Sequence, residues 1–360
     1  MSNTEDIAEM VKKAFEDAIL KRGKVNVLIA GRTGVGKSTL INSIFQGKLA
    51  DTGQGRPVTT STREITKEGI PLAIFDTRGL EMAAYKETIT ELEDLVMSRS
   101  QDTDSKRHIH VAWLCVHEDG RRVEEAEIEL HKTLAKHMPV LGVITKSRAD
   151  HGFKAEVQKL LPQARNVVRV RALVEELDEG HVLSLMGLED LVELTSEVIP
   201  ESFRCAFAAA QKASVQKKKN VAHGIVAASA TAAAGAGASP IPFSDAVILV
   251  PIQISMLAGV SLTFGLEIST AFLTTLAATA AGATGTTFAG RAIVANLLKF
   301  IPAGGTLAGG AISAATAAAL TTALGEIYIA TLASLFSDTG GKPPSSDDVF
   351  REFMKRMSKK

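Results

Sequence analysis

Charge is scarce in this chain in two senses. Its 40 Lys and Arg residues balance 40 Asp and Glu residues, so the formal net charge is zero. With no overall basic field to attract phosphate, a general nucleic-acid binder is not expected. Charge is also missing locally. Between residues 220 and 337 only Asp245, Glu267, Arg291, Lys299 and Glu326 carry any. Cysteine is nearly absent too: Cys115 and Cys205, far apart in sequence, offer no disulfide framework, and a reducing, cytoplasmic compartment fits better. The opening residues, MSNTEDIAEMVKKAF, are charged and have no apolar core, so no secretory leader is expected there. At 360 residues the chain exceeds one ordinary domain and predicts two compact units. One half looks like a soluble α/β protein and the other does not.

Residues 1–22 predict a helix over 4–22. Ile7, Met10, Val11, Ala14, Phe15 and Ala18 recur at three- and four-residue spacing, and Gly23 ends it. Strand candidates follow at Val25–Ala30, Ile70–Phe75, Ile109–Val116, Val140–Thr145 and Val167–Val170, with a threonine-rich edge strand around Thr62–Thr66. Most are continuously apolar, the pattern of strands covered on both faces. Stretches around 37–46, 83–97, 121–137, 153–161 and 187–198 carry helical periodicity. This alternation predicts an α/β domain over 23–200, a mostly parallel sheet with helices on both faces and ligand chemistry at the carboxyl ends of its strands. Residues 201–219 read as a basic helical connector ending in Lys217-Lys218-Lys219. Residues 220–337 read as a hydrophobic all-α domain of helical hairpins, and 338–360 as a polar tail with a short amphipathic helix.

Gly31-Arg32-Thr33-Gly34-Val35-Gly36-Lys37-Ser38 is a complete Walker A sequence, followed by Thr39 and set between a strand and a helix. Glycines at 34 and 36 let backbone N–H groups turn inward around phosphates. Lys37 supplies a fixed positive charge to the β- and γ-phosphates, Ser38 a hydroxyl for Mg²⁺, and the helix N-terminus its partial charge. Asp76-Thr77-Arg78-Gly79 stands at a strand end about forty residues later. Its acid is placed to hold Mg²⁺, and its glycine N–H to reach the γ-phosphate. Between them, Gly53-Gln54-Gly55-Arg56-Pro57-Val58-Thr59-Thr60 reads as a switch loop whose Thr59, with Thr60 beside it, ligands the metal only when the γ-phosphate is present.

These residues resemble the Era-like branch of the translation-factor-related P-loop GTPases, with its immunity-related and dynamin-like relatives. The likeness covers residues 24–200. It implies GTP binding, hydrolysis to GDP and phosphate, and Mg²⁺ held by Ser38, Thr59 and Asp76. Thr145-Lys146 looks like the start of the base-reading motif, which implies that Lys146 packs along the guanine ring. The acid of that motif is Asp150 here, at the spacing Thr-Lys-x-x-x-Asp instead of Thr-Lys-x-Asp, so both a guanine and an adenine nucleotide stay open. Ala172 falls in the last, weak motif. Where Ras-like proteins place a water-orienting Gln after DxxG, this chain has Leu80, which implies slow isolated turnover. Rate enhancement would then come from Glu81, or from Arg78 or Arg121 across a nucleotide-dependent homodimer. Each of the three also has a plain reading, the favoured one, as a solvated switch-loop or helix-start residue.

His108 and His110 alternate along a strand and Trp113 follows. Without two more converging donors the histidines do not predict a metal site, and Trp113 reads as core. In the charge-poor half, uncharged gaps exceed the roughly 20 residues needed to cross a bilayer, but 221–238 and 303–323 are mostly Ala, Gly and Thr. Residues 246–264 are the richest in large apolar side chains, although Pro251 and Gln253 interrupt them. This half, from Pro240-Ile241-Pro242-Phe243-Ser244-Asp245 to Thr321–Gly325, resembles the uncharacterised helical domain that follows Era-like G domains in bacteria and occurs in inner-membrane proteins. The expectation is a cytoplasmic GTP-dependent switch acting through an unknown protein effector, its helical domain meeting membrane lipid at the cytoplasmic face. A wholly soluble bundle, and a non-hydrolysing nucleotide-gated interaction module, stand as the alternatives.

Overall fold

A computed structural model of the protein describes residues 22–50, 63–77, 85–237, 245–266 and 314–358, with isolated positions between 9 and 20 and at 272. It divides the chain into Gly23–Ser214 and a second unit of Met1–Arg22 with Val215–Lys360.

In the first unit the chain runs β1 (Val25–Gly31), α1 (Lys37–Ile44), β2 (Arg63–Thr66), β3 (Leu72–Asp76), α2 (Tyr85–Ser100), β4 (Val111–His117), α3 (Glu125–Leu134), β5 (Val140–Thr145), α4 (Phe153–Leu160), β6 (Asn166–Arg169), a two-residue hairpin β7 (Glu175–Glu176) and β8 (Val182–Leu183), α5 (Leu188–Val198) and α6 (Glu201–Ala210). Six strands form one sheet in the order β2-β3-β1-β4-β5-β6. All its pairings are parallel except β2 with β3. Period-two geometry sorts each strand's side chains between two cores. Val25, Val27 and Ile29 of β1, with Val111, Trp113 and Cys115 of β4, pack under α1, α5 and α6. Leu28 and Ala30, with Ala112, Leu114 and Val116, pack under α2, α3 and α4. Both sets must be apolar, which is why the strands read as unbroken runs. Trp113 is fully buried, stacks on Phe45 with ring centroids 5.6 Å apart, and donates from Nε1 to Thr195 Oγ1 at 3.0 Å.

The expected connector over 201–219 is divided between the units. α6 belongs to the sheet unit because Phe203, Ala206, Phe207 and Ala210 complete the core around Trp113 and Phe45. Gln46 N and Lys212 N also bond across to Ala210 O and Ile44 O.

The second unit contains α7 (Val215–Gly237), α8 (Asp245–Thr263), α9 (Ala314–Asp338) and α10 (Ser346–Ser358). Its core joins Ala222 and Val226 of α7, Ile254, Leu257 and Val260 of α8, and Leu324, Tyr328, Leu332 and Phe336 of α9. Helices approach closely at Gly325, where a Cβ would lie 2.5 Å from Val226 Cγ2 and 3.1 Å from Met256 Sδ. The tail is not merely polar, since Val349, Phe353 and Met357 bury one face of α10 in this core. Gly340 and Gly341, both at positive φ, make the turn that brings α10 back. Lys218, in the basic run, is fully buried, with its Nζ 3.2 Å from Thr263 O at the end of α8 and 4.7 Å from the Phe336 ring centre. That run therefore presents less charge than its sequence suggests. Among the described residues, α9 is the one helix long and apolar enough to cross a bilayer, and half of that stretch is buried inside the unit. Pro251 lies within α8, leaving Pro251–Thr263 as its shorter apolar part. Most of 267–313 lies outside the described residues.

Candidate functional site

The phosphate loop leaves the carboxyl end of β1, beside β3 on one side and β4 on the other. Gly31 pairs with Cys115, and a Cβ there would come 2.4 Å from Cys115 O, so only glycine lets the strands approach. Gly34 (φ 75°) and Gly36 (φ 102°) take the left-handed region that a loop folded back on itself requires, and Gly36 caps α1. Lys37 is 7 % exposed, and its Nζ donates to Gly31 O at 2.9 Å and Arg32 O at 3.2 Å. Burial lowers its pKa, while the negative charge of Asp76 works in the opposite direction. Arg32 leans outward to Glu124 at 3.2 Å. Thr33 and Gly34 are exposed, Val35 is buried, and Ser38 and Thr39 are half-buried in the first turn of α1.

Asp76 ends β3, fully buried, with its Oδ2 4.0 Å from Arg63 Nε. A buried carboxylate and a half-buried hydroxyl, at the ends of adjacent strand–loop units, are the hard oxygen donors Mg²⁺ prefers. Ser38 and Asp76 thus fit the ion. Thr59, Thr60, Gly79 and Glu81, together with Arg78 and Leu80, lie outside the described residues.

Beside the loop opens a cavity of about 400 Å³. Gly36, Thr39 and Leu40 line one side, Thr145, Lys146 and Arg148 another, and Val170 to Glu175 with Asp119 close it. The structure thus brings Thr39, Thr145, Lys146 and Ala172 together around one cavity. Thr145 Oγ1 donates to Val35 O at 2.6 Å, tying the base loop to the phosphate loop. Ala172 O accepts from Ser43 Oγ at 2.8 Å. Lys146 sits at φ 52°, so the loop turns sharply after β5.

Asp150 is not among the residues lining this cavity. Its Oδ1 accepts from Lys154 N at 2.9 Å, in the first turn of α4, and lies 3.6 Å from Arg169 Nε. The two extra residues in the spacing carry the acid past the base loop to the start of the next helix.

Several residues here escape a reading by motif. Glu118, directly after β4, accepts from Arg169 Nε at 2.7 Å and from the backbone N–H groups of Arg148 and Ala149. Burial alone would raise its pKa, but these donors outweigh burial and hold the carboxyl below its ordinary value. It is the latch of the base loop, and its place at a carboxyl strand end is the one sequence signal that marks it. Arg171, 8 % exposed, donates to Ser147 O at 2.8 Å and Ser184 O at 2.6 Å, pinning the β7–β8 hairpin to that loop. Glu175 of the hairpin bonds Arg148 through both carboxylate oxygens.

The histidines serve the fold. His110 Nδ1 accepts from Asn26 N at 2.9 Å, its Nε2 lies 3.1 Å from Ser105 O, and burial pushes its pKa down to about 4. Among the described residues no group of three or more His, Cys, Asp or Glu is placed to hold a metal ion.

Comparison with known proteins agrees with this layout. Residues 26–146 match the family model of the 50S ribosome-binding GTPase, and residues 204–359 match a domain of unknown function, DUF697. The tRNA modification GTPase MnmE of Clostridioides difficile is 26% identical over 188 residues, covering 48% of this chain and 37% of that protein. MnmE of Bordetella parapertussis is 28% identical over 182 residues, with the same coverage. The chain therefore spans little more than a third of these relatives' length. Among solved structures, Aquifex aeolicus Era bound to GDP·AlF4⁻ is 19% identical, covers 56% of this chain and 68% of its own, and superposes with a TM-score of 0.35. Arabidopsis thaliana Toc33 with Mg²⁺ and GMPPNP is also 19% identical, covering 55% and 93%, with a TM-score of 0.35. Residues 26–146 are a P-loop GTPase domain, and a DUF697 helical domain follows it.

Proposed function

We propose that this chain, a P-loop GTPase domain joined to a DUF697 helical domain, binds GTP with Mg²⁺ and hydrolyses it to GDP and phosphate. The observation that carries the reading is Lys37. A buried ammonium held by the carbonyls of its own loop, at the mouth of α1 and beside Asp76, is a cation placed for a polyphosphate. Ser38 and Asp76, joined by Thr59, would hold the metal, which neutralises phosphate charge when bound. Water attacks the γ-phosphate in line, while Lys37 and the inward N–H groups of the loop, with Gly79 beyond, stabilise the developing negative charge. Leu80 offers no hydrogen bond to that water, so turnover in isolation is slow unless Glu81 or a second copy assists. Single-turnover phosphate release from GTP by purified protein tests this. Phosphate released at a slow rate that Lys37→Ala abolishes supports it, and tight GTP binding without release would make the chain a non-hydrolysing switch.

The nucleotide state is further proposed to control the helical unit at a membrane. The apolar length of α9 and the charge-poor stretch between Asp245 and Arg291 support this. A basic surface does not: even three free lysines contribute only roughly 3 kcal/mol at an anionic surface, and Lys218 is buried. Retention on membranes through high salt and alkaline carbonate is the expected result. Monodisperse protein without detergent would remove the membrane from the reading.

A further inference from the structure

We infer that the base is read by Glu175, anchored by Arg148, and that the pair selects guanine. This rests on the nucleotide reading above and goes beyond it, because it assigns base choice to a hairpin that the motif does not contain.

Arg148 stands three residues after Thr145, where the motif's acid would be, and it lines the cavity with its side chain half exposed. A guanidinium there reverses the expected charge, and the fold answers it with a carboxylate. Glu175 Oε2 accepts from Arg148 Nε at 2.9 Å, its other oxygen accepts from Arg148 Nη2, and Arg148 holds the Glu175 carboxyl below the usual carboxylate range. The ion pair is bidentate, so its geometry is fixed as well as its charge. It is also mounted on a braced support. Arg171 and Met186 exchange backbone hydrogen bonds at 2.9 and 3.1 Å, Glu175 pairs with Leu183, and the Arg171 side chain bonds Ser147 of the base loop.

The Watson–Crick edge of guanine presents one acceptor, O6, and two donors, N1–H and the N2 amine. A guanidinium beside a carboxylate offers the complement: donors for O6, and lone pairs not taken by Arg148 for the two N–H groups. Adenine presents one donor and one acceptor and leaves one of those groups unmatched. The same segment supplies the apolar face that a purine ring needs. Leu173 and Val174 line the cavity yet are 62% and 56% exposed, side chains that a bound base would cover opposite the stem of Lys146. Two other acids lie near. Asp150 caps α4 and does not line the cavity, and Asp119 lines it with its Oδ2 3.6 Å from His117 Nε2, while its charge also acts on Arg148.

The test is equilibrium binding of GDP, ADP and XDP to the 360-residue chain and to Glu175→Gln, Arg148→Ala, Asp119→Asn and Asp150→Asn. The expected result is a native preference for GDP. It should fall roughly 10- to 100-fold in Glu175→Gln, as for one lost charged hydrogen bond. XDP binding should rise in the same variant, because the Gln amide donates to the xanthine carbonyl that replaces the amine. That gain is a readout a misfolded protein does not give. Arg148→Ala should lose part of the preference, and the Asn variants should keep it. Native-like GDP preference in Glu175→Gln, or its loss in Asp119→Asn or Asp150→Asn instead, overturns the assignment. Equal binding of GDP and ADP by the native protein overturns the inference and leaves the phosphate site standing, whereas no binding of any nucleotide brings down both.

Discussion

Replacing Lys37 by Ala separates the proposed function from the stability of the fold. The Lys37 ammonium is 7 % exposed and donates to Gly31 O and Arg32 O. Those carbonyls offset part of the cost of burying the charge, and removing charge and bonds together leaves opposing terms. The unfolding free energy should therefore move by about 1 kcal/mol or less. With nucleotide bound, the same ammonium faces the β- and γ-phosphates, and nothing replaces it in the variant. Charge-assisted hydrogen bonds contribute about 1.5–3 kcal/mol each, so two of them amount to about 3–6 kcal/mol. At 1.4 kcal/mol per decade this weakens the Kd for GDP by about 10²- to 10⁴-fold. Lys37→Arg keeps the charge on a longer, planar head and should fall between the two. Calorimetric titration with GDP gives the Kd, and urea unfolding followed by circular dichroism gives the stability. A folded Lys37→Ala protein that binds GDP as tightly as the native chain would refute the reasoning.

Other perturbations follow from single contacts. Glu127 is 1% exposed, accepts from Glu124 N at 2.9 Å, and burial raises its pKa from 4.5 to about 7. The folded value lies above the unfolded one, so the charged form weakens the fold fully above pH 7 and ceases to as pH falls toward 4.5. Glu127→Gln should gain about 1–3 kcal/mol at pH 8 and almost nothing at pH 5, and equal gains at both pH values in urea unfolding would exclude this cause. Gly31→Ala drives a Cβ to 2.4 Å from a backbone oxygen of β4, whereas Gly34→Ala meets nothing within 4 Å among the described residues. The first should lower stability by at least about 2 kcal/mol, the second by about 1 kcal/mol of backbone strain, and the reverse order would contradict the strand geometry. Lys218→Ala should destabilise the helical unit by about 2–4 kcal/mol, with Lys218→Met costing less because the stem packing survives. Hydrogen exchange across α7 to α9 reads the difference, and equal protection in both variants would mean that the stem packing carries no weight.

What could be read from sequence divides along the distance between cause and effect. The Walker A loop was legible because its glycines answer a local demand for left-handed backbone at Gly34 and Gly36. The parallel strands were legible because both of their faces are covered, so each had to be an unbroken apolar run. α6 reads from sequence as part of a helical connector and not of the sheet unit, although Phe203, Ala206, Phe207 and Ala210 carry a helical stripe. The lysines that follow gave the segment the look of a solvated connector, and what claims the stripe is the core around Trp113, far away in sequence. The hairpin of β7 and β8 had no chance of being read. Its strands are two residues each, and it is held by Arg171 and Met186 instead of by any alternation of its own.

The base motif shows the same division within one site. Linear spacing nominates the nearest acid after Thr145-Lys146, which is Asp150. The backbone turns after Lys146, and by residue 150 the chain is already starting α4, where a carboxylate satisfies the otherwise open N–H of Lys154. Two carboxylates line the cavity, Asp119 and Glu175, and the second comes from beyond α4 and β6, where no count of residues from the motif predicts it. The helical half obeys the same rule with less local signal. Ala, Gly and Thr let helices approach to the distance seen at Gly325, and they do so equally well against another helix in water and within a bilayer. Composition therefore fixes that these helices pack closely, while the partner of each apolar face is decided by chain brought in from elsewhere, as α10 is brought back across α9 by Gly340 and Gly341.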